Sequence, residues 1–207
     1  SVAPPLRLPL PVLAGWARSV LAAAGVDPAQ TETVAENLLW NDAAGRRNHG
    51  LERLPVLLDR VADGLIRCPA ETTLERIGPS QARLAGGDGF GQHAGRLAID
   101  AAIDLARETG LGVVGVNASN FYGTGAYFVA RAAEAGFLSL ALSNSFPKVA
   151  AAGGLRPVLG TNPFAFGAPR AGGRALIVDM STAGLAGSAV RAAERAGTPM
   201  PEGLAID

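Results

Sequence analysis

Two histidines, His49 and His93, are the only side chains in this 207-residue sequence whose ordinary pKa makes them proton carriers near neutral pH. His49 lies in Arg47-Asn48-His49-Gly50-Leu51-Glu52-Arg53, with an arginine four residues on. Positions i and i+4 share a helix face, so a helix starting near Gly50 would aim both into one cleft. Imidazole there could move a proton, while guanidinium is a natural fork for a carboxylate. The bland alternatives are a structural histidine between helices and an ion pair between Arg53 and a neighbouring acid such as Glu52.

Other polar groups cluster in three places. Gly160-Thr161-Asn162-Pro163 reads as a turn in which asparagine before proline is driven to extended geometry. Val178-Asp179-Met180-Ser181-Thr182 delivers a carboxylate and two hydroxyls to a strand end, where Asp179 could equally be a helix N-cap. Gly89, Gly91 and Ala94 match G-x-G-x-x-A between a short strand and a helix. The next strand ends in Asn117 rather than an acid for a ribose, so this turn is read mainly as a strand-to-helix connection, with His93 a surface or capping residue. No G-x-S-x-G is present, and two separated histidines build no metal triad.

These residues must be held by a helical N-terminal piece and a strand-containing remainder. Val12, Leu13, Trp16, Val20 and Leu21 recur at helical spacing. Asp27-Pro28 starts a second helix, and Leu51, Leu54, Leu58 and Val61 mark a third that stops near Gly64. From about residue 70 short apolar segments alternate with helices: strands at 72–77, 82–85, 111–116, 137–142 and 175–178, helices at 95–107, 126–135 and 183–195. The expected fold class is α/β (α+β), with a helical segment over 1–70 and an α/β domain over 71–207.

Equal numbers of basic and acidic residues, 18 each, argue against a nucleic-acid surface, as does an aromatic content of 5%. A single cysteine, Cys68, excludes an intrachain disulfide and fits a reducing compartment. The proline-interrupted N-terminus matches neither a signal peptide nor a membrane span, so the expected location is the cytoplasm.

In order, AAGVDPAQTETVAENLLWND, NHGLERLP, AIDAAIDLARETGLGVVGV, NASNFYGTGAYFVARAAEAGFLSLALSNS, GGLRPVLGTNPFAFGAP, VDMST and PEGLAID resemble the malate/L-lactate dehydrogenase family. That family is distinct from the Rossmann lactate and malate dehydrogenases. It includes sulfolactate, ureidoglycolate and diketogulonate dehydrogenases and piperideine-2-carboxylate reductases. The resemblance implies a non-Rossmann, mixed-sheet NAD(P)-binding domain, a homodimer, and hydride transfer between NAD or NADP and a small 2-keto or 2-hydroxy acid or cyclic imine carboxylate. It places the proton-transferring histidine on His49, the substrate-side arginine on Arg53 and an imidazolium-supporting acid on Asp179. Cofactor contacts fall on Thr161, Asn162, Leu176, Ile177, Val178, Met180 and Ser181, and the substrate pocket on Asn48, Asn120 and Phe121. The resemblance also removes the pyrophosphate from the Gly89–Ala94 run.

The departures are specific. The residue before the histidine is usually serine and here is Asn48, and an arginine often found five positions before it is Ala44. The S-N-H-F-G segment reads Ser119-Asn120-Phe121-Tyr122-Gly123, so an active-site histidine is replaced by phenylalanine. Family chains also continue beyond PEGLAID. These departures motivate a second expectation, a divergent non-redox member acting as a ligand-binding or partner subunit.

Overall fold

The computed structural model describes residues 8–185, 190, 193, 194 and 196–199. It divides into two compact units, Ser1–Tyr127 and Phe128–Asp207. This division does not coincide with the change of element type near residue 70. The first strands belong with the N-terminal helices, because the second of them carries a helix that packs on the N-terminal layer.

In the first unit, α1 (Leu10–Ala23) and α2 (Pro28–Ala43) are followed by two 3-10 turns, Arg47–His49 and Leu51–Arg53, and by α3 (Leu54–Ala62). Strands β1 (Thr73–Gly78) and β2 (Gln81–Gly89), helix α4 (Gly91–Thr109) and strand β3 (Val113–Ser119) complete it. The sheet order is β1-β2-β3, antiparallel then parallel, which makes it a mixed sheet. Asp27 caps α2 by accepting from the Ala29 and Gln30 N–H groups at 3.1 Å each, with Pro28 in the first turn, as the sequence predicts. On the far side of α1, Val12 and Trp16 are about half exposed, contrary to expectation. The buried stripe runs instead through Ala17 and Leu21, which join Val34, Leu38, Leu54, Leu57, Ile66 and Phe90 in one core. Small alanines let the helices close there, so the packing phase follows Ala17 rather than the larger side chains.

The inner face of α2 carries a second, polar stripe: Gln30, Thr33, Asn37 and Asn41, all buried. It runs beside α4 in step. Gln30 Oε1 accepts the Phe90 N–H at 3.0 Å, Thr33 meets His93, and Glu36 pairs with Arg96 at 2.9 Å. Most of these buried polar groups find partners, while the Asn37 Nδ2 is buried without one among the described residues.

The division falls inside α5 (Gly125–Glu134), whose alanines, Tyr127, Phe128 and Val129 are nearly all buried. The second unit holds β4 (Ser139–Leu142), β5 (Val149–Ala150), β6 (Pro157–Leu159), β7 (Phe164–Ala168) and β8 (Leu176–Met180). Its main sheet is antiparallel, in the order β4-β7-β8. Strands β5, β6 and β7 are absent from the sequence reading, since glycines and prolines interrupt their short apolar runs. The helix expected over 183–195 lies partly outside the described residues; Ala183, Gly184 and Leu185 form a bend. Register puts Leu140, Phe166 and Val178 in one row of the sheet and Leu142, Phe164 and Met180 in the next. Leu140, Leu142, Leu176, Val178 and Met180 are exposed, so this face is apolar and open.

Among the described residues no helix is long and apolar enough to cross a membrane. None of their His, Cys, Asp and Glu side chains form a group of three suited to a metal ion.

Candidate active site

His49 ends the first 3-10 turn and Arg53 ends the second, so they do not share a helix face. The expected helix start fails at Gly50, whose φ of −89° and ψ of −148° separate the two turns. That geometry has a local cause. The chain leaves α2 through Arg46 N–H to Asn41 O at 2.8 Å and Gly45 N–H to Asp42 O at 3.0 Å, the paired bonds of a Schellman end. The Asp42 carboxylate then turns back to accept the Leu51 N–H at 2.9 Å. It fills the space where a Cβ at position 50 would sit, so any larger residue after the histidine must displace the carboxylate.

His49 and Arg53 nonetheless meet, through Phe121. The imidazole and the phenyl ring stack with centroids 5.9 Å apart and an interplanar angle of 18°. The Arg53 guanidinium carbon lies 4.9 Å from the same ring's centroid, within cation–π range. All three side chains are half-buried, and Phe121 also packs against the helical core. The suggested Glu52 partner is taken by Arg47, at 3.1 Å on the surface. Asn48 sits in the first turn, half-buried beside His49.

The segment that delivers Phe121 is anchored on both sides. Asn120 Oδ1 accepts from the Arg60 guanidinium at 2.8 Å. Its Nδ2 donates to the backbone oxygens of Leu65, Asp88 and Gly89 at 3.1, 2.7 and 3.2 Å. Both ends of the Asn120 amide are thereby engaged by the protein, which gives it a bracing geometry between α3 and the end of β2. On the other side, the Thr124 hydroxyl donates to Asn41 Oδ1 at 2.7 Å, while Asn41 Nδ2 donates to Asn37 O at 2.9 Å. Asn41, Asn37, Arg60 and Thr124 are the residues sequence reasoning missed here. The signal available was polar side chains at helical spacing on the inner face of α2.

The glycine run has a packing explanation. A Cβ on Gly91 would collide with the backbone of Asn120 and Phe121, and one on Gly89 with Ala70 and Gln30. Gly91 thus admits the Phe121 segment over the start of α4, and Gly89 admits Ala70 and Gln30. His93 is not the surface or capping residue expected but a half-buried group in the first turns of α4. Its Nδ1 lies 3.2 Å from Thr33 Oγ1. The hydroxyl's one proton goes to Ala29 O at 3.0 Å, so Nδ1–H is the donor. Burial pushes the His93 pKa below its ordinary value, against a smaller upward pull from Asp27.

In the second unit the two other polar clusters of the sequence come together. Thr161 O accepts from the Thr182 N–H at 3.0 Å and from the Ser181 and Thr182 hydroxyls at 3.2 and 3.1 Å. Ser145, unrecognised in the sequence, organises the turn: its Oγ accepts the Thr161 N–H at 2.9 Å, and its own N–H donates to Asn162 Oδ1 at 3.1 Å. Asn162 takes φ +31°, not the extended geometry expected before proline. Asparagine tolerates this region, and the bond from Ser145 holds it there. Asp179 lies within β8, half-buried on the side of Ala165. The cap-like bond after the strand belongs to Ser181 Oγ, which accepts the Ala183 N–H at 3.0 Å. Leu176, Val178 and Met180 point to the opposite, open face, and Ile177 shares the side of Asp179.

Residues 9–207 match the family model described as malate/L-lactate dehydrogenase. The chain is 38% identical over 202 residues to a malate dehydrogenase of Pyrococcus abyssi, covering 98% of this chain and 56% of that protein. It is 32% identical over 197 residues to the delta(1)-pyrroline-2-carboxylate/delta(1)-piperideine-2-carboxylate reductase of Pseudomonas syringae pv. tomato, covering 95% of this chain and 57% of that protein. The crystal structure of the piperideine-2-carboxylate reductase from that organism superposes with a TM-score of 0.91 at 31% identity, over 95% of this chain and 59% of that one. The chain thus spans a little over half the length of these relatives. With a match running from the first helix to the last residue, the chain belongs to the malate/L-lactate dehydrogenase family.

Proposed function

We propose that the protein catalyses hydride transfer between NAD or NADP and a small 2-keto or 2-hydroxy acid or a cyclic imine carboxylate. The observation that carries this reading is the meeting of His49 and Arg53 at one aromatic ring, a proton carrier beside a carboxylate fork. It is supported by relatives named as dehydrogenases and reductases of such substrates.

In the reducing direction Arg53 holds the substrate carboxylate. A bound reduced nicotinamide supplies the hydride that C2 receives. His49 gives its proton to the carbonyl oxygen, or to the imine nitrogen, as negative charge develops there. In the oxidising direction His49 takes that proton back. The resemblance assigns Asp179 the support of the protonated imidazole. For the cofactor we propose Thr161, Asn162, Leu176, Ile177, Val178, Met180 and Ser181. Around Thr161 hydroxyl and amide groups offer neutral hydrogen-bond partners, and the apolar side chains of β8 offer flat contact. This donor set suits a nicotinamide nucleotide and not a metal ion. Asn48 completes the proposed substrate pocket.

The decisive experiment is turnover by His49→Ala in the full-length protein, followed as NADH or NADPH oxidation over a panel of keto acids and cyclic imines. Loss of a proton carrier predicts a fall of roughly a hundredfold or more, with NADH fluorescence titration and thermal melting unchanged. Undiminished turnover would overturn the role of His49, and absence of saturable binding of both NADH and NADPH would overturn hydride transfer itself. We also propose a homodimer in the cytoplasm, on the resemblance and the single cysteine; a monomeric mass in light scattering at working concentration would count against the dimer.

A further inference from the structure

We propose that Phe121 is a positioning residue for proton transfer and an element of substrate choice. Its ring fixes the His49 imidazole and the Arg53 guanidinium relative to each other, and it selects substrates whose reacting carbon carries an apolar or cyclic substituent. The proposal rests on the reading of His49 as the proton carrier.

The geometry is specific. The imidazole stacks on the ring at 5.9 Å, 18° from parallel, and the guanidinium carbon lies 4.9 Å from the ring centroid. Aromatic stacking restricts tilt, and a cation over an aromatic face is held by the ring quadrupole. The ring is a fit reference point because its own segment is tied down. Asn120 braces it to Arg60 and three carbonyls, Thr124 anchors it to Asn41, and the ring itself packs against the helical core. A histidine in this place would present two ring nitrogens; phenylalanine presents none. The two groups thus share a scaffold that offers a substrate carbon and no hydrogen-bonding atom.

That exchange has a chemical consequence. A small acid that reaches both His49 and Arg53 lies alongside the ring on which they meet. An apolar or ring substituent on C2 gains contact there. A second carboxylate, sulfonate or hydroxyl loses hydrogen bonds to water without gaining one from the wall. Cyclic imine carboxylates and 2-keto acids with hydrocarbon side chains therefore fit, and 2-keto dicarboxylates do not.

The test uses the full-length protein and three variants, Phe121→Leu, Phe121→Tyr and Phe121→His. With only two histidines in the 207 residues, the ring resonances of His49 are assigned by NMR through their loss in His49→Ala. In Phe121→Leu the His49 resonances move downfield as the stacked ring's shielding is lost, while those of His93 stay in place and report an intact fold. In the same variant kcat with NADH falls roughly tenfold, in keeping with the strength of a cation–π contact, at unchanged NADH affinity. Phe121→Tyr restores both. Phe121→His raises kcat/KM for a 2-keto dicarboxylate relative to a cyclic imine carboxylate by roughly tenfold. An unmoved His49 resonance in Phe121→Leu overturns the positioning role, and an unchanged substrate ratio in Phe121→His overturns the selectivity. Wild-type protein inert on every keto acid and imine overturns the proposed function instead, while the resonance shift still decides the stack.

Discussion

Asn120 is the residue whose removal tests the site's architecture most directly. Its amide accepts one hydrogen bond from Arg60 and lies within bonding distance of three carbonyl oxygens. Two amide protons cannot serve three acceptors fully, so the donor side counts as about two bonds, partly exposed and worth about 0.5–1 kcal/mol each. The bond from Arg60 is charge-assisted and half-buried, worth about 1–2 kcal/mol. Asn120→Ala should therefore cost about 2–4 kcal/mol, a fall in Tm of about 4–16 °C for a protein of this size. Urea denaturation of Arg60→Met, which keeps most of the stem, isolates the charged bond at about 1–2 kcal/mol. The double variant should then fall short of the sum by about 1 kcal/mol or more, since the shared bond can be lost only once. Strict additivity, or a cost below about 0.5 kcal/mol for Asn120→Ala, refutes the brace.

Two further outcomes follow from local geometry. The folded-state pKa of His93 lies below its unfolded value, so between them the unfolded chain binds more protons and stability rises with pH. The contribution is complete above about pH 6.5 and is lost as pH falls below it, so Tm in His93→Gln should fall less between pH 7.5 and 5 than in wild type; parallel curves would contradict this. At Gly50, alanine must displace the Asp42 carboxylate from the Leu51 N–H. Gly50→Ala should cost about 1–2 kcal/mol in wild type and close to nothing in an Asp42→Ala background, measured by chemical denaturation.

What the sequence discloses of this fold follows the reach of each signal. Helices α2 to α5 are legible because capping and 3.6-residue periodicity act over one or two turns. The phase of α1 is not, because Ala17 and Leu21 win the core only once α2 and α3 exist to close on them. Strands β5 to β7 escape because their pairing partners, not their composition, make them strands. The i+4 argument expects His49 and Arg53 on one helix face, whereas they end separate turns and lie against one ring. Asp42, seven residues before the histidine, breaks the helix at Gly50 and gives the chain two 3-10 turns instead.

The link between His49 and Arg53 is held in a residue about seventy positions away. Nothing local to 46–55 specifies Phe121; it reaches the two turns because β3 runs parallel to β2, and the glycine at 91 lets the segment after β3 pass over the start of α4. A motif such as N-H-G-L-E-R can therefore mark a proton carrier without fixing its partner. The partner's identity is set by one side chain on a segment whose backbone is braced by other residues, Asn120 and Thr124. Exchange at position 121 then changes the chemistry offered to a substrate while leaving the bracing bonds in place. That separation of scaffold from contact makes position 121 the place to test what this chain offers a substrate.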